Sequence, residues 1–348
     1  MKVLMVGPSL DAKGGISSVV NQYIYAGIDK SVEFHYLPTT KQGNKLFKSL
    51  FFIKCILKAY IIMNKFDIVH IHVSKDGSCF RKRIIAHIAK QFKKKIIFHI
   101  HSSQFIEFYQ KSSNINKRKI KNMFNISDKI IVLSNYWKNE FSFLISKEKL
   151  IALNNGVKLP DSFKKDYKNK NILFLGKVCK EKGILELLYA MVEIVKIYPD
   201  IVLYVGGIGE ISIYKKISEE LNISKNVRFL GWIYGSDKEK YLKKCSIFVL
   251  PSYFEGMPVS LLEAMSYSCA CVCTSVGGVP EVLNHGKNGL LINPKNIFEL
   301  QSMLLACIDD ETKRNNLGKN ALETITKEYN IKIILEDLKN IYLEVFNK

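Results

Sequence analysis

No run in this 348-residue chain approaches the ~20 consecutive apolar residues that a membrane-spanning helix needs. The nearest, Leu46–Met63, is interrupted by Lys48, Lys54 and Lys58, which do not share one helical face, so it reads as a mostly buried or an interfacial helix. Met1–Gly7 is too short for the apolar core of a signal peptide and reads as a first buried strand. The eight cysteines show no paired short spacings, which argues against a disulfide scaffold or a zinc knuckle. Cys269, Cys271 and Cys273 alternate along one apparent strand and would share a face. Small residues packing a buried strand in a reducing compartment explain them better than a metal site does. Also missing are an Asp-x-Asp pair, a complete GxGxxG fingerprint, a GxxxxGK[ST] phosphate loop and any internal repeat.

Acidic residues are scarce in one half only. Residues 1–160 carry 27 Lys and Arg against 9 Asp and Glu, whereas residues 161–348 carry 25 against 23. A lysine-rich host would explain abundant lysine but not this asymmetry. A field confined to one half points to an anionic partner: membrane phospholipid, a pyrophosphate-bearing lipid or nucleic acid. Nucleic acid would call for aromatic–basic interleaving or a recognition helix, and neither is present.

What is present is an alternation of short apolar runs with longer helical patterns, the sign of βα units and a parallel sheet. Strands are expected at 3–7, 68–73, 95–100, 130–133 and 151–153, and again at 172–176, 201–206, 227–230, 247–250, 270–274 and 290–292. The reading is an α/β chain of two doubly wound Rossmann-like domains facing across a cleft. Residues 1–160 form the first, the polar segment 161–171 a linker, and 172–329 the second; 330–348 form an amphipathic helix crossing back to the first domain. In such sheets ligands bind at the carboxyl ends of strands, near the switch point.

Four places carry candidate chemistry. Gly7–Gly15 opens a helix at Ile16, and Gly14 and Gly15 let backbone approach a ligand there; an ordinary βα turn is an equal rival. His70, His72, His99 and His101 form two HxH pairs at strand ends, and without a strand-end Asp/Lys set they read mostly as packed histidines rather than a metal site. Lys177 and Lys182 flank one strand-to-helix junction, where two cations can clamp a diphosphate leaving group. Glu255 and Glu263 lie one before a helix and one on its second turn, with Pro258 expected at the first helical position. That helix is apolar nearly all round, so Glu263 is expected to be buried, and a buried carboxylate needs a partner.

The stretch Ser246–Gly278 with its Glu-x7-Glu spacing, Gly176-Lys177 followed by Lys182-Gly183, and Gly277–Glu281 together resemble the retaining GT-B glycosyltransferases of family 4. The resemblance runs from Lys13 to Gly289 and is strongest over 172–294. It implies transfer of a sugar from a nucleotide-diphosphate donor to a glycan or lipid-linked acceptor, in bacterial surface polysaccharide synthesis. It gives Glu263 the ribose and Glu255 the donor-sugar hydroxyls, with Gly256, Met257 and Pro258 forming backbone around them. It makes His101 the histidine facing the donor sugar and sets the Gly14–Gly15 loop against the donor phosphates. Where the family has arginine this chain has Lys177, which keeps the charge without the bidentate fork. No metal or other cofactor is implied, because lysines can neutralise the diphosphate. Rival readings are a non-catalytic membrane- or nucleic-acid-binding protein of the same architecture, and a nucleotide-sugar epimerase.

The expected location is cytoplasmic and peripheral at the inner face of the membrane. Arg81–Lys95 carries the most specific signal for that. At helical pitch Ile84, Ile85, Ile88, Ala89 and Phe92 gather on one side, with Lys82, Arg83, Lys90, Lys93 and Lys94 on the other, so a cationic outer face is expected.

Overall fold

The computed structural model describes residues 1–28 and 32–348, in which the chain divides into two compact units. Unit 1 comprises Met1–Gly156 and Ile331–Lys348, and unit 2 comprises Val157–Asn330. Each holds a six-stranded, wholly parallel sheet.

Unit 1 contains β1 (Lys2–Gly7), β2 (Glu33–Pro38), β3 (Ile68–Val73), β4 (Lys95–Ile100), β5 (Lys129–Val132) and β6 (Leu150–Ala152). Their order is β2-β1-β3-β4-β5-β6, so the sheet reverses direction of growth between β1 and β3. Val3 to Val6 are fully buried, as expected where helices cover both faces of a parallel sheet. Helix Ile331–Phe346 belongs to this unit: Tyr342 hydrogen-bonds His70 of β3 at 2.6 Å, and Glu344 pairs with Lys129 at 3.0 Å.

Unit 2 contains β7 (Ile172–Leu175), β8 (Leu203–Gly206), β9 (Val227–Gly231), β10 (Ile247–Leu250), β11 (Ala270–Thr274) and β12 (Leu290–Ile292), in the order β12-β11-β10-β7-β8-β9. The switch point falls between β7 and β10. The cysteine strand β11 is entirely buried, and burial pushes the Cys271 and Cys273 thiols well up, so they pack as protonated small side chains.

Two expectations are corrected here. Residues 161–171 are packed along unit 2 rather than forming a linker. Lys165 donates to Leu242 O at 2.5 Å, Tyr167 donates to Ser268 O at 3.1 Å, and the Asn171 side chain accepts from Val202 N at 2.9 Å. The polar side chains that suggested a solvated linker serve as hydrogen-bonding groups to unit 2. The second correction concerns helix Gly77–Gln91. Lys82 is 1% exposed and donates to Thr39, whereas Ile84 is 38% exposed. Lys82 falls three and four residues before the buried Ile85 and Ala86, and so shares their inner face.

Arg314, on helix Glu311–Glu328, is fully buried and ties this segment down. It donates to Tyr167 O at 2.9 Å, to Cys307 O and to Ile308 O at 3.2 Å. Arg314→Leu strips three buried carbonyls of a charged donor. A loss on the order of 3 kcal/mol is expected, lowering the unfolding transition of unit 2 by roughly 6–12 °C. Calorimetry checks this, and an unchanged transition contradicts the role given to Arg314.

Candidate functional site

The switch point of unit 2 brings the loop after β7 against the loop after β10. Gly183 makes this possible: its φ is +69°, and a Cβ there would sit 2.1 Å from Pro251 O. Gly207, after β8, is packed the same way, with φ +153° and a virtual Cβ 1.7 Å from Gly176 O. The glycines of the Gly207-Ile208-Gly209 stretch thus seat neighbouring loops on one another.

Two carboxylate–ammonium pairs result. Lys182 Nζ lies 2.5 Å from Glu255 Oε1, with side-chain exposures of 25% and 8%. Lys238 Nζ lies 2.5 Å from Glu263 Oε1, with exposures of 28% and 12%. In each pair the acid is the more buried partner and the lysine the more exposed one. A carboxylate this buried would be costly unpaired. A single lysine neutralises it and keeps further N–H donors for another acceptor. Tyr253, on the loop between the pairs, donates to Glu186 in the first turn of helix Ile184–Ile197.

The backbone around Glu255 is braced from behind, since Gly278 N donates to Gly256 O at 2.9 Å. Met257 is buried at 3% exposure. Pro258 caps helix Val259–Ser266 from outside, with φ −72° and ψ 116°, one residue earlier than the expected first helical position. Its extended ψ turns the chain so that Glu263, on the helix's second turn, faces Lys238 of helix Gly235–Lys244. Lys177 is exposed and joins no ion pair among the described residues. Sequence reasoning missed Lys238. It lies on another helix from Glu263, and the only signal for it was its place in the first turn after β9.

The remaining candidates lie on unit 1. Gly14 caps helix Gly15–Tyr25 with extended backbone, φ −177°, and a Cβ at Gly14 or Gly15 would meet nothing within 4 Å. Neither chain packing nor dihedral strain therefore requires glycine there. His101 follows β4, and its Nε2 lies 2.7 Å from His72 Nδ1. His70, His72 and His99 are fully buried on β3 and β4, and their rings stack with centroids 4.5 to 5.4 Å apart. Burial pushes the His70 and His101 pKa down to about 3 and lowers those of His72 and His99 strongly.

A family model described as "Glycosyl transferases group 1" matches residues 158–324, and one described as "Glycosyltransferase Family 4" matches residues 21–159. This chain belongs to that glycosyltransferase family and is a sugar-transferring enzyme with the GT-B fold. An uncharacterized glycosyltransferase of Methanocaldococcus jannaschii, MJ1607, is 28% identical over 70% of this chain and 63% of its own length. The UDP-Gal:alpha-D-GlcNAc-diphosphoundecaprenol alpha-1,3-galactosyltransferase of Escherichia coli is 27% identical over 92% of this chain and 86% of its own. Anabaena Alr3699/HepE, solved in complex with UDP-glucose, superposes with a TM-score of 0.81 at 18% identity, covering 99% of this chain and 100% of its own. At that identity the superposition speaks for the fold alone.

The histidine cluster has a consequence for stability. Its rings are neutral when folded and take up protons on unfolding below about pH 6.5, the ordinary histidine value. The folded state therefore loses stability as pH falls from there towards about 3, and is unaffected above it. Each such histidine contributes about 1.4 kcal/mol per pH unit, so His70 and His101 alone should remove about 2–4 kcal/mol between pH 6.5 and pH 5. Denaturant unfolding at the two pH values tests this; equal stabilities contradict a neutral buried cluster.

Proposed function

We propose that this enzyme moves a sugar from a UDP-sugar to a lipid-linked glycan acceptor in bacterial surface polysaccharide synthesis, with retention of configuration. The observation that carries this reading is the pair of partly exposed lysines, Lys182 and Lys238, each held by a more buried glutamate beside the switch point of unit 2. Lys182 has N–H donors beyond the one given to Glu255, and these stabilise the departing diphosphate. Lys177 supplies a second cation there. Glu255 accepts from a donor-sugar hydroxyl, and Glu263 accepts from the ribose. His101 faces the donor sugar, and Gly14 and Gly15 lie against the donor phosphates and the acceptor. The lysines neutralise the diphosphate, so transfer needs no divalent metal. The acceptor attacks on the face the leaving group vacates, without a carboxylate nucleophile. The Escherichia coli relative, named for a UDP-galactose donor and a diphosphoundecaprenol acceptor, supports UDP and a lipid-linked acceptor. Anabaena Alr3699/HepE with UDP-glucose supports the donor class.

Membrane docking through unit 1 belongs to the same reading, on a surface other than the expected one. No helix among the described residues is long and apolar enough to cross a membrane. Helix Lys45–Ile62 nevertheless leaves Leu46, Leu50, Ile53, Leu57 and Ile61 exposed by 53–76%. At ~100° per residue they form a stripe about 80° wide, opposite the buried Phe52, Cys55 and Ala59. Lys54 and Lys58 flank the stripe, and Lys41, Lys45 and Lys48 are exposed at its start. Apolar residues between lysines suit an anionic bilayer interface.

Transfer from a panel of UDP-hexoses to a lipid-diphosphate-sugar acceptor tests the enzymatic reading. Lys182→Ala should lower turnover roughly 10²–10³-fold, while Lys177→Arg keeps it. Wild-type turnover in Lys182→Ala overturns the site.

Docking is tested with vesicles of phosphatidylglycerol and phosphatidylethanolamine. Leu50→Ser with Leu57→Ser should weaken co-sedimentation about tenfold or more, and phosphatidylcholine vesicles should bind poorly. Equal binding by the double variant, or to neutral vesicles, contradicts this surface.

A further inference from the structure

We propose that His70, His72 and His99 form a binding site for a divalent transition-metal ion of the zinc class, in the core of unit 1. The register of β3 on β4 sets His72 opposite His99, and strand alternation puts His70 on the same face as His72. One ring nitrogen from each of the three can be chosen so that all lie within 4.8 Å of one another. Metal–nitrogen bonds of about 2.0–2.1 Å require the nitrogens to draw together and the stacked rings to turn about their Cβ–Cγ bonds, so that their in-plane lone pairs converge on the ion.

The hydrogen bonding has the form that ligating imidazoles show, one ring nitrogen held from behind and the other presented. His70 Nδ1 is held by the Tyr342 hydroxyl at 2.6 Å, and His72 Nδ1 by His101 Nε2 at 2.7 Å. Nε2 of both rings, and both nitrogens of His99, have no hydrogen-bond partner among the described residues. Four unpartnered polar atoms in fully buried rings are an expensive arrangement unless something binds them. The Tyr23 hydroxyl is likewise buried and without a hydrogen-bond partner among the described residues, on a ring 6.5 Å from that of His72.

Three imidazoles with no carboxylate among them suit zinc, copper or nickel rather than calcium or magnesium. Imidazole binds such ions through a neutral ring nitrogen. The nearby cation is Lys82, whose ammonium group is turned to the Thr39 hydroxyl. A site this enclosed takes up its ion as unit 1 folds. The ion joins β3 to β4, to helix Ile331–Phe346 through Tyr342, and to His101 through His72. This is a structural role, separate from the lysine-based donor chemistry of unit 2.

Ordered water is the competing occupant, and cobalt separates the two. The full chain is unfolded in chelator, refolded with Co2+ alone and desalted. About one Co2+ per chain is expected, with the intense visible bands of a tetrahedral site. His99→Gln and His70→Gln should each lower retained Co2+ at least tenfold, whereas His285→Gln, at an exposed position, should not. Wild-type chain that refolds to its native circular dichroism yet retains under a tenth of an equivalent of Co2+, and of Zn2+ in a parallel refolding, overturns the site whether or not the variants fold. Retention of the bands in both His99→Gln and His70→Gln overturns the assignment to these residues.

Discussion

The bond between Lys182 and Glu255 joins the two loops on either side of the switch point in unit 2. The rest of the site is arranged around it. Gly183 lets the first loop rest on Pro251, Gly278 braces Gly256, and the turn at Pro258 aims the next helix. Removing Glu255 would leave a lysine without its anchor, and removing Lys182 would strand a nearly buried carboxylate. The second pair, Lys238 with Glu263, repeats the arrangement one helix away. Both use the same physics: a low-dielectric pocket on the acid side fixes the carboxylate, and the carboxylate fixes the cation.

The sheets were readable because parallel strands buried on both faces are continuous apolar runs. The strands at 68–73, 95–100, 247–250, 270–274 and 290–292 appear at the expected residues. β2, Glu33–Pro38, was not expected: it is an edge strand, half-exposed, with Glu, His and Pro in its six residues. The segment 161–171 looked like a linker because its polarity does not reveal that it hydrogen-bonds to Leu242, Ser268 and Arg314 far along the chain.

Spacing singled out Glu255, Glu263 and Lys182 as candidates but not who pairs with whom. The pair Lys238–Glu263 joins two helices separated by β10, a contact no local pattern encodes. Helix Gly77–Gln91 failed for another reason. A count of lysines on one face treats charge as proof of exposure, yet Lys82 follows the apolar stripe inward and finds the Thr39 hydroxyl. Helix Lys45–Ile62 is the converse, with leucines and isoleucines directed outward. In both helices the departure from ordinary patterning marks a position where packing alone does not determine the residue.

Unit 1 is built from two separated stretches of chain, with all of unit 2 between them. On a ribosome, β1 to β6 emerge first, but Tyr342, which holds His70, and Glu344, which holds Lys129, are made only after residue 330. Vectorial synthesis therefore presents unit 2 complete while unit 1 still lacks its last helix. The first-made half of the chain is thus the last to close its core. Through that interval His70 lacks the hydroxyl that holds it and Lys129 the carboxylate it pairs with.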